Sequence, residues 1–217
     1  MQQWNENDND FFSWLIFGDE STFHLSGKVN KHNVPIWGTE NPRELAQYVW
    51  DSPKGNVFCA VSRTKVYAPF FPHENTVPEV TYLDMVSEWL LPQLQQDNEH
   101  FIFIQDGAPP HWHNGVRHYL DENLPRLWIG RSTVENMTLI FWPPRSPDLT
   151  ACDFFLWGCI KDRVFVLPLP VSLNKLKLRI TTAFASVDKY MLRSVWTELD
   201  YRIDICRVTK GSHIEHL

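Results

Sequence analysis

Short continuous runs of apolar residues recur along the chain and predict buried strands. Runs without polar alternation are typical of strands that are covered by other elements on both faces. They lie at residues 11–17, 101–104 and 137–142. Two further β-rich runs, at residues 57–61 and 65–68, flank a short polar turn and predict a hairpin.

Between these runs, apolar residues three or four positions apart predict amphipathic helices. The predicted helices cover residues 80–96, with a kink at Pro92, then 114–123, a helix that begins near Thr150, and terminal helices at 173–180 and 186–204. The stretch at 124–136 is predicted as a loop insertion between a helix and a strand. Because strands and helices interleave without a linker or repeat, we interpret residues 1–217 as one mixed α/β domain.

Composition narrows the class of protein. Of the 217 residues, 43% are hydrophobic and 14% aromatic, which is typical of a chain with a packed core rather than a disordered one. No run approaches the roughly 20 apolar residues that span a bilayer, and the polar start is unlike a signal peptide. We therefore expect an intracellular chain with no membrane partner. The four cysteines form no C-x-x-C pair, so free thiols are expected.

The charge balance is acidic. The chain has 20 Lys and Arg against 26 Asp and Glu, a formal net charge of −6. Such a balance disfavours a protein that holds nucleic acid through its overall field, because that task favours a basic surface. It remains compatible with an enzyme that concentrates carboxylates in a metal-binding cleft.

Three aspartates stand close to the ends of the predicted buried strands. Asp19 ends the first run, Asp106 follows the second, and Asp153 lies in the first turn of the helix after the third. Strand ends that meet at one edge of a sheet would bring these carboxylates together. Carboxylate oxygens suit Mg²⁺ or Mn²⁺, and paired ions of this kind stabilise in-line phosphoryl displacement. Aspartates are also typical of turns and helix caps, and the pattern alone leaves both interpretations open.

Longer motifs surround these aspartates. Asp106 begins the stretch Asp-Gly-Ala-Pro-Pro-His, which ends at His111, and Asp153 closes the stretch Ser-Pro-Asp-Leu-Thr-Ala-Cys-Asp. A shorter motif, Gly-Asp-Glu-Ser, contains Asp19 and Glu20. Together these motifs resemble the catalytic domain of mariner transposases, which are DDE/DDD enzymes of the Tc/mariner superfamily. Two further stretches, at residues 29–42 and 201–215, resemble insect-type members of that family. The resemblance covers nearly the whole chain.

The resemblance implies an RNase H-like fold, a mixed sheet flanked by helices. It implies that Asp19, Asp106 and Asp153 are the catalytic residues and hold two Mg²⁺ or Mn²⁺ ions. The implied activity is DNA strand cleavage and transfer at transposon ends, with DNA as the partner and no small-molecule cofactor. A homodimer and a nuclear location are expectations of the same kind.

Other residues receive supporting roles from the same resemblance. The third motif contains two aspartates, and the family's register assigns the metal to Asp153 and a loop or capping role to Asp148. His111 is expected to position phosphate or water. Arg145, from its place in the proline loop, is either a contact with the DNA backbone or an exposed loop residue, and the sequence leaves both open. Glu20 follows Asp19 directly, so it is expected on the opposite face of the strand in a structural role.

The chain also departs from the family pattern. The spacing between Asp106 and Asp153 exceeds that of typical mariner members, and the predicted loop at 124–136 accommodates the excess. The first carboxylate stands at position 19, so the N-terminal helix-turn-helix modules of the family are expected to be absent. Two hypotheses follow: a catalytic domain that does not transpose autonomously, or a silent remnant that binds nucleic acid or protein.

Overall fold

The architecture is a six-stranded mixed sheet covered by helices on both faces. The computed structural model describes residues 11–27, 52–72, 79–143 and 146–209. The sheet has the order β3-β2-β1-β4-β5-β6, in which β1–β2 and β2–β3 are antiparallel and the other pairs are parallel. The strands are β1 Leu15–His24, β2 Lys54–Val61, β3 Val66–Phe70, β4 Ile102–Gln105, β5 Trp128–Gly130 and β6 Ile140–Phe141.

Most helices of the described ranges lie at predicted positions, but the short helix Pro109–Trp112 was not predicted. They are α1 Glu79–Asp84, α2 Leu91–Asp97, α3 Pro109–Trp112, α4 Asn114–Asn123, α5 Trp157–Val164, α6 Leu173–Ala185 and α7 Lys189–Val208. A π-helical segment, Met85–Leu90, joins α1 to α2, and a second, Cys152–Leu156, precedes α5. Short 3-10 turns cover Phe11–Trp14 and Pro147–Leu149. Pro92, where the sequence predicts a kink, lies in the first turn of α2 just after the π-helical segment.

Each face of the sheet has its own hydrophobic core, and the alternation of β1 contributes to both. Phe17 and Phe23 pack with residues of α5, α6 and α7 on one face. Ile16 packs with residues of α1, α2 and α4 on the other. Since neighbouring side chains of a strand point to opposite faces, Asp19 shares the face of Phe17 and Glu20 shares that of Ile16.

The first strand differs from its prediction at both ends. Residues 11–14 form a 3-10 turn, and β1 starts at Leu15 and continues to His24, so Asp19 lies in the middle of the strand rather than at its end. The reason is that the two neighbouring strands pair with β1 over different lengths. Its parallel pairing with β4 stops at Gly18, whereas its antiparallel pairing with β2 continues to His24.

The region between Asp106 and Asp153 also differs from its prediction. The stretch at 124–136 is not only a loop, because it contains β5, which is fully buried and pairs with β4. The predicted buried strand at 137–142 is reduced to the two-residue β6 at the sheet edge. The sequence signal failed here because a three-residue strand is too short to show a periodicity.

Two expectations from composition can be compared with the described ranges. Cys59, Cys152, Cys159 and Cys206 are all free, as predicted, and the first two are buried. No helix in these ranges is both long and apolar enough to cross a bilayer.

Candidate carboxylate site

The parallel pairing of β1 with β4 brings the first two predicted carboxylates side by side. Gly18 is paired with Gln105 at the last rung of this ladder. Since parallel strands advance together, the next positions are Asp19 on β1 and Asp106, which directly follows β4. Gly18 allows a close approach here, because a Cβ atom at this position would lie 2.8 Å from the Phe103 ring.

Asp19 is a buried carboxyl held at both oxygens. Its side chain is 8% exposed. The indole N–H of Trp157 donates to Oδ2 over 2.6 Å, and the backbone N–H of Glu20 donates to Oδ1 over 2.8 Å. Burial raises the pKa of Asp19 well above its usual value, and the negative charges of Asp153 and Glu20 raise it further against the effect of the Trp157 hydrogen bond.

Asp153 comes to the same place from the π-helical segment before α5. The residue is exposed, which leaves its carboxylate open to a substrate. Even so, desolvation by the surrounding protein, followed by the charge of Asp106, raises the pKa of Asp153 to about 6. The charges of Asp19, Asp106 and Asp153 therefore act on one another, and the structure brings the three predicted carboxylates into one cluster.

Asp106 is held by a buried histidine that also contacts Glu20. His111 is 1% exposed, with Nδ1 at 2.6 Å from Asp106 Oδ1 and Nε2 at 3.0 Å from Glu20 Oε2. The Nδ1 contact lies outside hydrogen-bond geometry and is better described as an ion pair. The backbone N–H of Ala108 donates to the same Asp106 oxygen over 2.9 Å.

The charges of His111 and Asp106 favour each other's ionised form. Burial works to lower the pKa of His111, but the charge of Glu20 and the contact with Asp106 raise it to about 10. Burial likewise works to raise the pKa of Asp106, but the contact with His111 and the Ala108 N–H bring it below its usual value. At neutral pH the group is therefore an imidazolium between two carboxylates, and Asp106 is ionised.

A second set of contacts fixes the position of His111. Its ring lies 4.2 Å from the ring of Tyr82, centroid to centroid. The Tyr82 hydroxyl donates to Gln105 Oε1 over 2.9 Å, and Gln105 Nε2 donates to the backbone oxygen of His111 over 3.3 Å. The end of β4 and the short helix α3 are thereby connected through side chains that are buried.

Lys161, Trp157 and Glu20 belong to the surroundings of the cluster, although sequence reasoning gave none of them a functional role. Lys161 stands two turns after Asp153 along the helical segment, and its charge lowers the pKa of Asp153. Burial lowers the pKa of Lys161, against the effect of the nearby carboxylates. Helical spacing was an available signal for Lys161, whereas the contact of Trp157 with Asp19 depends on tertiary packing alone.

The remaining predicted residues lie apart from the cluster or outside the described ranges. Asp148 lies in the 3-10 turn Pro147–Leu149, where its backbone oxygen accepts a hydrogen bond from Arg202 over 3.3 Å. Its charge raises the pKa of Asp153. Arg145 lies outside the described residues.

The donor chemistry of the cluster fits a divalent cation. Every candidate ligand is a carboxylate oxygen, the donor that Mg²⁺ and Mn²⁺ prefer. Burial, and after it the repulsion between the carboxylates, raises the pKa of both Asp19 and Asp153. In the ranges that the structure describes, however, no three His, Cys, Asp or Glu side chains are placed closely enough to hold a metal ion. The carboxylates would have to approach one another further to coordinate one.

The fold and the carboxylate cluster together define the class of protein. The mixed sheet flanked by helices is the RNase H-like fold of transposase catalytic domains. The sequence matches the family model of the DDE superfamily endonucleases over residues 14–168, more than half of the chain. The chain therefore belongs to the DDE superfamily of endonucleases. A comparison with curated protein sequences found no match.

Solved structures of Mos1 transposase share the fold. The Mos1 mariner paired-end complex with Mn superposes with a TM-score of 0.72 at 19% identity, covering 98% of this chain and 60% of that one. The paired-end complex with the left transposon end gives 0.70 at 19% identity, with coverages of 97% and 59%. The catalytic domain of Mos1 mariner transposase gives 0.65 at 18% identity, with coverages of 98% and 89%. The chain thus spans about three fifths of the Mos1 chains in the paired-end complexes and most of the Mos1 catalytic domain.

Proposed function

We propose that the protein cleaves DNA strands and transfers them in a reaction that depends on divalent metal ions, as in cut-and-paste transposition. The observation that carries the proposal is the cluster of Asp19, Asp106 and Asp153, three carboxylates from separate elements whose charges act on one another. Like charges placed close together lower the stability of the folded protein. A reaction that needs bound cations explains why the protein keeps them together. Membership of the DDE endonuclease family supports the same reaction class.

In this proposal each carboxylate has a distinct task in holding two Mg²⁺ or Mn²⁺ ions. Bound ions of this kind stabilise charge on the attacking and leaving oxygens of an in-line phosphoryl displacement. Asp19 presents a carboxylate whose orientation the Trp157 indole sets. Asp106 stays ionised through its contact with His111, and its side chain is 45% exposed. Asp153 is exposed as well, so a DNA phosphate can reach both of these carboxylates.

The partners follow from the same proposal. DNA, both transposon ends and target, is the substrate, and the solved Mos1 structures named as paired-end complexes support this choice. We further propose a homodimer, which is what two paired ends require, and a nuclear location, where the substrate resides.

The second candidate is a transposon-derived protein that no longer cleaves DNA and instead binds nucleic acid or protein. One observation favours it: within the described ranges the acidic side chains do not reach metal-holding distances. The retention of all three aspartates favours the catalytic proposal instead, because a site without function has no need of like charges that repel one another.

A nicking assay separates the two candidates. The purified chain is incubated with supercoiled plasmid and Mn²⁺, and the conversion to open circles is followed with and without a chelator. The catalytic proposal expects Mn²⁺-dependent nicking that is lost in Asp19→Asn, Asp106→Asn and Asp153→Asn. Asp162→Asn is the matched control, because it removes an equal charge from an exposed position on α5.

The outcomes are exclusive. Nicking that survives in Asp153→Asn would show that the third carboxylate is misassigned. A chain that binds the plasmid but never nicks it would favour the silent remnant.

A further inference from the structure

We propose that Arg131, held against Trp112, is a binding site for a DNA backbone phosphate beside the carboxylate cluster. The inference rests on the proposed function and specifies where the substrate strand is bound. DNA binding faces an electrostatic difficulty: the chain has a net charge of −6, and a negatively charged DNA strand must still approach three carboxylates. A cation next to the cluster would resolve that difficulty.

The pairing of β5 with β4 sets Arg131 next to the second carboxylate. Ile104 pairs with Ile129 in this parallel ladder, and two positions further along the strands are Asp106 and Arg131. The contact is seen at Gly107, where a Cβ atom would lie 3.3 Å from Arg131 Cδ. The absence of a side chain at Gly107 therefore lets the arginine stem lie against the loop that carries Asp106.

The charge of Arg131 is ordered but not neutralised. Its guanidinium carbon lies 4.5 Å from the centre of the Trp112 ring, and the residue is exposed. No carboxylate of the described ranges forms an ion pair with it. Arg117, which also stacks on Trp112 at 4.1 Å, is different: it is 7% exposed and is bonded to the Trp112 backbone oxygen and to Asn136.

A stacked, unpaired arginine suits phosphate in two ways. The planar guanidinium presents several donors that match phosphate oxygens, and stacking on an aromatic ring leaves those donors free at its edge. A side chain that packing already orders loses less conformational entropy when a ligand binds. Because successive phosphates follow one another along a strand, a phosphate at the carboxylates places a neighbour within the range of Arg131.

The test is the salt dependence of DNA binding. Binding of a short fluorescent duplex is measured by anisotropy at several salt concentrations for the wild type and Arg131→Gln. Loss of one phosphate contact should weaken binding at low salt about tenfold. It should also reduce the slope of log K against log salt by about 0.9.

Two further variants separate a phosphate contact from a structural role. Arg63→Gln removes the same charge from the exposed turn between β2 and the edge strand β3, three strands away from β5, and should leave affinity and slope unchanged. Arg131→Lys keeps the charge but loses the planar stack, so it should bind more weakly with the slope of the wild type.

Each outcome decides the proposal. A wild-type slope in Arg131→Gln, with or without a lower melting temperature, overturns the phosphate site and leaves the proposed function standing. Equal losses in Arg63→Gln and Arg131→Gln overturn it as well, because the effect would then be one of net charge. A wild-type chain that shows no salt-dependent DNA binding overturns both this inference and the proposed function.

Discussion

Glu20 and His111 are ninety-one positions apart in the chain, and their side chains form a hydrogen bond of 3.0 Å beside the candidate site. The imidazole joins Glu20 to Asp106, so a residue on one face of β1 acts on a carboxylate that follows β4. Asp19, the neighbour of Glu20, reaches the cluster from the opposite face. Adjacent residues of one strand thus serve the same cluster through different contacts.

This relationship predicts that Glu20 stabilises the folded protein. Glu20→Leu leaves a buried imidazolium with one carboxylate partner instead of two, which should lower the free energy of unfolding by about 1–3 kcal/mol. Urea unfolding at pH 7 measures the change. Glu122→Leu is the matched control, because its pair with His118 is exposed at 61% and 75%, and such surface pairs contribute below about 1 kcal/mol. Equal effects of the two substitutions would contradict the buried role of Glu20.

The raised pKa of Asp153 predicts how stability depends on pH in metal-free buffer. A carboxyl whose pKa is about 6 when folded and roughly 3.9 when unfolded binds more protons in the folded state between these values. Its effect on stability is therefore a loss as pH rises from about 4 to about 6. Urea unfolding with a chelator at pH 5 and pH 8 measures this loss.

The Asp153→Asn variant should remove that loss and be more stable than the wild type at pH 8. Asp162→Asn, an exposed carboxylate on the same helix, should leave the pH profile of the wild type unchanged. If Asp153→Asn and the wild type lose the same stability between pH 5 and pH 8, burial and the neighbouring charges do not raise the pKa of Asp153 in the folded protein.

Two tryptophans allow a test of the hydrogen bond to Asp19. Trp157→Phe removes a donor to a carboxylate, and Trp196→Phe removes a donor to the backbone oxygen of Phe12, both over 2.6 Å. The hydrogen bond from Trp157 lowers the pKa of Asp19, so its loss should cost about 1–3 kcal/mol, and more at high pH than at low pH. The second should cost about 1 kcal/mol at every pH. Thermal or urea unfolding across pH distinguishes them, and parallel profiles would refute the charged acceptor.

The fold was predictable where the hydrophobic pattern reported burial directly. The run at 101–104 is confirmed as the buried β4, because a strand that is covered on both faces has a continuous apolar sequence. β5 was missed because three residues carry no periodic signal, although the strand lies between β4 and β6 and completes the parallel half of the sheet. Pairing with β4, rather than local pattern, makes this segment a strand.

The candidate site divides in the same way. Asp19, Asp106 and Asp153 were predicted from strand ends and motifs, and the structure places their charges in one cluster; their catalytic role remains a prediction. Strand alternation correctly put Glu20 on the opposite face. It did not show that α3 brings His111 to that face, because such a contact depends on how distant segments pack rather than on local sequence.

The central question is whether the three carboxylates hold a divalent cation together. Thermal unfolding with and without Mn²⁺ measures this for the wild type and for Asp19→Asn, Asp106→Asn and Asp153→Asn, with Asp162→Asn, an exposed position on α5, as the control. A cation that binds only the folded state, at a hundred times its dissociation constant, adds about 2.7 kcal/mol. The account predicts a Mn²⁺-dependent rise in Tm that the control keeps and all three cluster variants lose. A rise that persists in any of the three, or no rise in the wild type, would contradict it.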